Sequence, residues 1–395
     1  MPNKLYSPTE MIETLISFNT TSYLSNMEMI NFIKDYLELH GIESTLIPNE
    51  TNRKANLLAS IGPKELPGIV LSGHTDVVPV DGQDWLSDPF SVVERNGRLY
   101  GRGTADMKSF CAIALALIPK IVSRPLNIPI HFAFSYDEEV GCLGAPSMIK
   151  NLTNLPTQPM ACIVGEPTNM EVVNAHKGVF GFHTTVKGFE QHSSATHLGV
   201  NAIQYSAKLI SFLMQIGDQM RNDRIEPNSG FSPPYTTVHV GLISGGTAQN
   251  IIPKECTFSW EYRLVPGSDP DEIINRFQEY ITESILPEMQ YVYPKASIKT
   301  EAKTRAPNLI PNKESSLQEL VLKLAQKNKT GVVSFGTEAG LFQSAGIPTV
   351  ICGPGSINEA HKPNEFIELS QIKECNDFLV RLLEFCRNTK LYETY

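Results

Sequence analysis

The chain has 395 residues, more than one hydrophobic core usually serves, so we expect two domains. Its net charge of −9 argues against nucleic acid as a partner, because nucleic acids recruit basic surfaces. No run approaches the ~18 apolar residues of a membrane helix, and residues 1–6 lack the pattern of a signal peptide, so we expect a cytoplasmic protein with no membrane partner.

The first part of the chain predicts a sheet covered by helices. The predicted helices lie at 8–40 (a pair), 107–121 and 144–150. The predicted strands lie at 44–47, 56–61, 69–72, 130–135 and 161–164. This alternation of strands and helices is typical of an α/β domain whose sheet is mostly parallel.

The pattern changes near residue 178. A strand, a helix, two strands, a helix and a strand are predicted in turn at 179–186, 201–220, 236–243, 257–264, 269–285 and 291–299. The order β-α-β-β-α-β is that of a ferredoxin-like domain. The α/β rhythm then resumes with a helix, a strand and a helix at 315–327, 350–352 and 371–387. We therefore predict a ferredoxin-like domain at 179–292, inserted into a discontinuous α/β domain formed by 1–178 and 293–395.

Several potential metal ligands follow the predicted strands of the α/β domain. His74 follows the strand at 69–72, and Glu138 and Glu139 follow the strand at 130–135. Asp106 lies in a glycine-rich turn before a helix, and Glu166 follows the strand at 161–164. Open α/β sheets build their sites at strand ends, so these donors, with the late His361, predict one metal site.

The spacing of these donors predicts different tasks for them. His74 and Asp76 are two apart and share a strand face, so Asp76 can accept a hydrogen bond from the ring of His74. Asp106 could bridge two metals with its two oxygens. Glu138 and Glu139 point to opposite sides of an extended chain, so one can ligate while the other takes a proton from the attacking water.

The donor set favours two divalent cations. Two such ions balance the charge of Asp106, Glu139 and Glu166 together with one hydroxide, whereas a single ion would leave excess negative charge in a buried site. Zinc fits imidazole and carboxylate ligands best, and cobalt or manganese could also bind. The seven cysteines are odd in number and form no C-x-x-C pair, so we expect reduced thiols that take no part in the site.

Each of these residues also has an ordinary structural interpretation when it is taken singly. A histidine at a strand end is more often a hydrogen-bonded structural residue, and Asp106 could simply cap a helix. The pair Glu138-Glu139 could be a solvated turn. Only their joint position after strands of one sheet favours a catalytic site.

These stretches resemble the co-catalytic zinc aminoacylase/glutamate-carboxypeptidase superfamily over nearly the whole chain. The resemblance rests on the motifs S-G-H-T-D-V-V-P-V-D-G-Q-D-W (72–85), G-R-G-T-A-D-M-K-S (101–109), V-G-E-P-T (164–168), G-F-E-Q-H-S-S (188–194), G-G-T-A-Q-N-I-I-P (245–253), F-G-T-E-A-G (335–340) and G-P-G-S-I-N-E-A-H-K-P (353–363). It implies that the inserted domain forms a homodimer.

The resemblance implies which residues hold each metal. One histidine and one glutamate are expected at each ion, His74 with Glu166 and His361 with Glu139. Asp106 is implied to bridge the two ions.

The same resemblance implies three further features of the site. Asp76 would orient His74, and Glu138 would act as general base and then as general acid. A cis peptide bond is expected between Asp106 and Met107.

Three residues of the inserted domain are implied to meet the substrate. His192 would reach the active site of the partner subunit and polarise the scissile carbonyl. Asn250 and Arg263 resemble substrate-binding positions, and an arginine can clamp a carboxylate with two parallel hydrogen bonds. The alternatives are a histidine in a surface turn and an arginine in a surface salt bridge.

The loop Gly336-Thr337-Glu338 is a further substrate-binding candidate. Backbone amides of such a loop can hold a carboxylate, and Glu338 could pair with an ammonium group of the substrate.

We therefore predict a dinuclear metallohydrolase that cleaves the linear amide of a small N-acyl amino acid. Glu166 is implied to mark the branch of deacetylases and desuccinylases, and the choice between those acyl groups stays open, as does a broader amidohydrolase. The alternative from another class is a non-catalytic dimeric binding protein with structural metals. The absence of thiolate ligands and the spare carboxylate argue against that alternative.

Overall fold

The structure is a computed structural model that describes residues 5–312 and 315–389. By its internal contacts the chain divides into two compact units. The first unit comprises Met1–Ala175, Pro311–Val332 and Thr337–Tyr395, and the second comprises His176–Ile310 and Val333–Gly336.

Helices and strands alternate along most of the described chain. The helices are α1 (Pro8–Ile16), α2 (Met27–Leu39), α3 (Lys108–Ala116), α4 (Ile118–Val122), α5 (Ala145–Thr153), α6 (Ala202–Asp223), α7 (Glu272–Tyr280), α8 (Leu286–Val292), α9 (Ser316–Ala325), α10 (Ala339–Ser344) and α11 (Leu369–Asn388). The strands are β1 (Ser44–Pro48), β2 (Ala55–Ile61), β3 (Ile69–His74), β4 (Val93–Arg95), β5 (Arg98–Tyr100), β6 (Ile130–Ser135), β7 (Ala161–Pro167), β8 (Val172–His176), β9 (Gly178–Lys187), β10 (Thr237–Gly245), β11 (Glu255–Leu264), β12 (Ser297–Ala306), β13 (Thr330–Val333), β14 (Thr349–Gly353) and β15 (Phe366–Glu368).

The first unit is built on an eight-stranded sheet with the order β1-β2-β6-β3-β7-β14-β8-β13. Its centre is parallel, since β6, β3, β7 and β14 run in the same direction. The flanking pairs of β1 with β2, β2 with β6 and β14 with β8 are antiparallel. Strands β3, β6, β7 and β14 are buried along their whole length, as expected of a parallel sheet covered on both faces.

Helix α3 is the central helix of this unit. Every residue from Lys108 to Leu115 is buried, so the helix is enclosed by protein rather than amphipathic. It packs against α1, α11 and the central strands. The ring of Phe110 lies so close to Gly165 that a β-carbon there would come within 2.0 Å of it, so glycine is required where β7 approaches the helix.

The second unit is a four-stranded antiparallel sheet with the order β10-β11-β9-β12. In chain order its elements follow β9-α6-β10-β11-α7-α8-β12, the ferredoxin-like pattern that the sequence predicts. Burial alternates along β9 and β11, so one face of the sheet is buried and the other is partly exposed. A mixed α/β architecture with a second, antiparallel domain is thereby confirmed.

One predicted strand begins too early, and the division of the chain by its contacts differs from the predicted domain boundary. Residues 291–292 end helix α8, and the strand begins only at Ser297. The aromatic and branched residues at 291–293 favour strand, but Met289 of α8 packs into the core of the second unit and keeps this segment helical. Strand β12 pairs with β9 along its length, so residues 297–306 belong to the second unit although the predicted boundary was 292.

Short elements were missing from the prediction. Strands β8 and β13 and helix α10 lie in the first unit, and β15, β5 and β4 form a separate three-stranded sheet. Within the described parts of the chain, none of the helices combines the length and apolar character needed to cross a bilayer.

Candidate metal centre

The predicted metal ligands of the first unit converge at the carboxyl ends of its central strands. His74 is the last residue of β3 and lies beside Ser135, the last residue of β6. Glu138 and Glu139 follow β6 in a tight loop, and Glu166 lies near the end of β7. Among the described residues, His74, Glu138 and Glu166 form one group whose donor atoms all lie within 4.8 Å of one another, and His74, Asp106 and Glu139 form another.

Asp106 lies between two histidines. Its Oδ1 is 3.1 Å from Nε2 of His74, and its Oδ2 is 3.2 Å from Nε2 of His361. The peptide bond between Asp106 and Met107 is cis, which confirms that prediction. The turn before it is left-handed at Gly103, with φ of 87°.

Glu139 lies beside His361, and Glu166 lies beside His74, so each histidine has a second carboxylate near it besides Asp106. Nε2 of His361 is 3.0 Å from Oε2 of Glu139, and Nε2 of His74 is 3.9 Å from Oε1 of Glu166. His361 has a left-handed backbone with φ of 63°, a strained conformation that is common at functional sites.

The carbonyl oxygen of Asp76 lies closer to the ring of His74 than the Asp76 carboxylate does. Nδ1 of His74 is 2.9 Å from the carbonyl oxygen of Asp76, whereas the Asp76 carboxylate is 3.6 Å away, too far for a good hydrogen bond. Because a carbonyl only accepts, Nδ1 carries the proton, and Nε2 is the nitrogen left with a lone pair for a cation.

The Asp76 carboxylate instead organises the loop after β6. It accepts hydrogen bonds from Oγ of Ser22 at 2.7 Å and from the amides of Glu138 at 3.1 Å and Glu139 at 3.3 Å. This carboxylate therefore holds the backbone that carries the two glutamates, and its predicted role in orienting His74 stays a prediction.

The charges of the site are poorly compensated by the protein alone. Burial raises the pKa of Glu139 to about 7 and that of Glu166 well above its usual value, and the neighbouring Asp106 adds to both shifts. Burial would lower the pKa of His74, but Asp106, Asp76 and Glu166 together raise it well above its usual value. Asp106 and Glu166 both lie near Nε2 of His74, so a cation bound among these three side chains would offset the negative charge of the two carboxylates.

Glu138 has a different environment from its neighbour. Burial raises its pKa well above the usual range, and nearby carboxylates strengthen the effect. Its Oε1 lies 3.4 Å from Sγ of Cys142, a thiol that can donate. A buried carboxylate with a raised pKa is suited to taking and returning a proton near neutral pH.

The donor set fits divalent metal ions. It consists of imidazole nitrogens and carboxylate oxygens with no thiolate, the ligands of zinc in catalytic sites. Oε1 of Glu139 is buried and has no hydrogen-bond partner, as expected of an oxygen that ligates a cation.

Three buried charged residues beside the ligands were missing from the prediction. Lys108 is fully buried, and its Nζ donates to the carbonyl oxygen of Phe18 at 2.8 Å. Arg102 and Glu365 form a buried ion pair at 2.7 Å. All three lie in or next to the motifs that carry Asp106 and His361. Their proximity to these motifs is the sequence feature that could have identified them.

His192 and Asn250 lie in the second unit, on neighbouring segments. His192 pairs with Ile251 in an isolated bridge, and the amide of Ser193 donates to the carbonyl oxygen of Asn250 at 3.0 Å. The ring of His192 is exposed, and its Nδ1 lies 2.8 Å from Oγ of Ser194. Nε2 of His192 is thus the nitrogen free to meet another molecule.

Arg263 also lies in the second unit, on β11. Its Nε donates to Oε1 of Glu261 at 2.8 Å, the surface salt bridge that the sequence left as an alternative. Gly336 closes that unit's last segment, where a β-carbon would come within 2.3 Å of Val179.

Thr337 and Glu338 are buried in the first unit and present no open side chain to a substrate. The hydroxyl of Thr337 accepts a hydrogen bond from the amide of Ala339, the first residue of α10. The side chain of Glu338 is 1% exposed, and burial raises its pKa to about 7 against the opposing effect of the Ser135 hydroxyl. The prediction that Glu338 contacts a substrate ammonium group is therefore not supported by its position.

Comparison with known proteins agrees with this site. Acetylornithine deacetylase of Pasteurella multocida (strain Pm70) is 32% identical over 394 residues, which cover 97% of this chain and 99% of that protein. The protein of the same name from Shigella sonnei (strain Ss046) is 33% identical over 395 residues, covering 98% and 100%. The M20 family metallo-carboxypeptidase Sso-CP2 from Sulfolobus solfataricus shares the fold, with a TM-score of 0.76, 19% identity and coverage of 96% and 99%.

Residues 70–384 match the peptidase family M20/M25/M40, and the chain belongs to that family. Together with the donor set, this membership identifies a metallohydrolase that acts on amide bonds and has a site for two divalent metal ions.

Proposed function

We propose that the chain hydrolyses Nα-acetyl-L-ornithine to L-ornithine and acetate, a step of arginine biosynthesis. The observation that carries the proposal is the largely buried cluster of five candidate ligands with the Glu138 carboxylate beside it, found in a chain one third identical to two acetylornithine deacetylases. The cluster supports the reaction class, and the relatives support the substrate.

We assign the two ions to the two ends of the ligand cluster. His74 and Glu166 would hold one ion, His361 and Glu139 the other, and Asp106 would bridge them with the two oxygens that face the two histidines. Zinc suits these donors best, and cobalt or manganese could replace it. When bound, the ions polarise the amide carbonyl and lower the pKa of the attacking water.

Glu138 is the proton carrier in this proposal. Its carboxylate takes a proton from the attacking water, and the resulting hydroxide adds to the amide carbon. The same carboxyl then gives the proton to the leaving amine, so the C–N bond breaks and the free carboxylate is restored. Burial raises the pKa of Glu138, so its carboxylate is a stronger base toward the attacking water than that of an exposed glutamate.

A second copy of the chain would complete the site. Strand β10 is an edge of its sheet, and it exposes Leu242 and Ile243, at 71% and 56%. An exposed apolar edge strand favours pairing with another chain. We propose that two copies pair through these edges and that Nε2 of the partner subunit's His192 donates a hydrogen bond to the substrate carbonyl oxygen.

Substrate selection remains with the second unit in this proposal. Asn250 and Arg263 would bind the amino-acid part of the substrate, with Arg263 exchanging Glu261 for the substrate carboxylate. All seven cysteines are unpaired, which supports a reducing compartment such as the cytoplasm.

The test compares substrates on the metal-loaded protein. Turnover of Nα-acetyl-L-ornithine is measured against N-succinyl-diaminopimelate and a panel of N-acetyl amino acids. Glu138→Ala should retain both metal equivalents while losing roughly 100- to 10,000-fold in kcat, the usual contribution of a general acid–base group. Glu94→Ala, which changes an exposed strand residue, is the matched control and should retain full turnover.

The other outcomes lead to different conclusions. A preference for the succinyl substrate would keep the mechanism and move the proposal to a desuccinylase, and equal rates across the panel would indicate a broad N-acyl-amino-acid amidohydrolase. No turnover despite two bound metals would favour a non-catalytic binding protein. Normal turnover in Glu138→Ala would contradict the role of that carboxylate.

A further inference from the structure

Two ligand-bearing segments that are distant in sequence leave the same small sheet. Phe366 of β15 pairs with Tyr100 of β5. The turn that carries Asp106 begins directly after β5, and the segment that carries His361 ends directly before β15. Residues between these strands and the ligands therefore control how far apart Asp106 and His361 lie.

Glu365 is buried between the two segments and is surrounded by donors. One oxygen accepts from the amides of Ala105 at 2.8 Å and Asp106 at 3.1 Å. The other accepts from the amide of Gly103 at 3.0 Å and from Nη1 of Arg102 at 2.7 Å. One carboxylate thus holds three backbone amides of the turn that presents Asp106.

Arg102 extends these contacts to the other segment. Its side chain is 1% exposed, as is that of Glu365. Nη1 also donates to the carbonyl oxygen of Lys362 at 3.3 Å, and Nη2 donates to Oε1 of Gln83 at 2.6 Å. Nε2 of Gln83 in turn donates to the carbonyl oxygen of His361 at 2.9 Å.

We infer that Glu365, Arg102 and Gln83 form a clamp that positions His361 against Asp106 and so determines the affinity of the metal equivalent that uses His361. The three are positioning residues, because none of them offers an atom to the ligand cluster. The inference rests on the proposed function, since it concerns one of the two proposed metal ions.

Because His361 lies on an exposed loop, the metal ion that it binds should depend most on the contacts that hold this loop in place. The His361 side chain is 53% exposed, whereas His74 is 1% exposed and is held by its own strand and by the Asp76 carbonyl. His361 lies on a loop with a left-handed backbone, which other contacts must hold in place. Partners that orient a ligand typically contribute roughly 10- to 100-fold to metal affinity.

Glu365→Gln is the principal test. All four partners of Glu365 are donors, so a glutamine nitrogen would face at least one of them and break the clamp. Zinc is titrated into chelator-treated protein against a chromophoric competitor, and His361→Ala identifies the equivalent that depends on His361. In Glu365→Gln we expect that equivalent to weaken by about 10-fold or more relative to the other.

A second variant and a matched control accompany it. Glu365→Gln leaves Arg102 buried beside a neutral partner, so folding is checked by circular dichroism and thermal melting. Gln83→Met changes a partly exposed loop residue, leaves the Glu365 contacts in place and should weaken the same equivalent by a smaller factor. Glu368→Gln removes the half-exposed ion pair with Arg98 on β15 and should change neither equivalent.

The outcomes separate the clamp from the proposed function. The inference is overturned if Glu365→Gln folds and binds both equivalents as tightly as the unchanged chain, or if Glu365→Gln does not fold and Gln83→Met binds normally. Equal weakening of both equivalents would also overturn it, because that result indicates a general structural role. A wild-type chain that binds fewer than two equivalents would overturn the metal centre and the clamp together.

Discussion

At the scale of single residues, neighbouring carboxylates differ because their partners differ. Asp76 accepts from Ser22 and from two backbone amides, and although burial would raise its pKa, His74 and Ser22 lower it below the usual value. Glu139 faces His361 with one oxygen and leaves the other without a partner. Asp76 is therefore a permanent anion with a structural task, whereas Glu139 is available to a cation.

The role of Asp76 gives a prediction for Asp76→Ala. The loop that carries Glu138 and Glu139 would lose the carboxylate that binds its amides, so metal affinity and turnover should both fall by roughly 10- to 100-fold. Metal titration and steady-state kinetics measure the two effects. Asp81→Ala removes an exposed carboxylate that binds the hydroxyl of Tyr23 and should have little effect; equal losses in both variants would contradict the prediction.

His131 makes stability depend on pH independently of the metal centre. Burial lowers its pKa to about 4, and its ring is held by Oγ of Ser60 at 2.8 Å. Above the ordinary histidine pKa of about 6.5 the ring is neutral in both folded and unfolded chains. Between about 6.5 and about 4 only the unfolded chain binds the proton, so the free energy of unfolding falls as the pH falls through this window.

The expected loss for His131 is on the order of 3 kcal/mol across that window, since each unit of pKa shift corresponds to about 1.4 kcal/mol. Urea unfolding at pH 7.5 and pH 4.5 measures it in the wild-type chain and in His131→Gln, which cannot titrate. The difference between the two pH values should be smaller in the variant. An identical pH dependence in both proteins would show that His131 does not titrate as its burial predicts.

At the scale of elements, the contact between α3 and β7 links packing to the site. Gly165 lies against the ring of Phe110, and the next residue is the proposed ligand Glu166. Helix α3 begins two residues after Asp106. The spacing of helix and strand therefore bears directly on two ligands.

Gly165→Ala should force that spacing to increase. Overpacking of this kind costs about 1–3 kcal/mol in the free energy of unfolding, and the shift of Glu166 should weaken metal binding as well. Chemical denaturation and zinc titration measure the two effects. Gly331→Ala is the matched control within the same sheet, because its β-carbon would meet only Val173 at 3.9 Å; a stable Gly165→Ala with normal zinc affinity would contradict the argument.

At the scale of the whole molecule, the edge of the second unit's sheet decides whether the proposed dimer forms. Leu242→Lys places a charge on the exposed apolar edge of β10, which should prevent pairing between copies. One chain has a mass of 43.8 kDa. Sedimentation should show two chains per particle for the wild-type protein and one chain per particle for the variant. Turnover should fall in the variant because the dimer is lost, while both metal equivalents stay bound.

Tyr291→Lys is the control for the dimer prediction. Tyr291 is 92% exposed on α8, which packs beside the opposite edge strand β12, so the same change of charge there should leave assembly intact. A Leu242→Lys variant that remains dimeric would show that the copies associate elsewhere. A fully active monomer would contradict the proposed contribution of the partner subunit's His192.

The order of elements and the identity of the donors could be read from the sequence because both depend on local chemistry. Apolar periodicity predicts α3 and the buried strands, and the residues after those strands are the imidazoles and carboxylates that divalent metals prefer. The same local signals failed where tertiary packing overrode them. Residues 291–293 have strand propensity, yet the segment up to Val292 is helical because Met289 packs into the core.

Distances between remote residues were decided by the tertiary structure alone. Arg102 and Glu365 are 263 residues apart and meet only because β5 pairs with β15. The burial of Glu338 and the use of the Asp76 carbonyl by His74 also depend on which strands lie side by side. Sequence by itself determined the class of fold and the ligand chemistry, since these follow from residue type and spacing, whereas the contacts that place each ligand follow from three-dimensional packing.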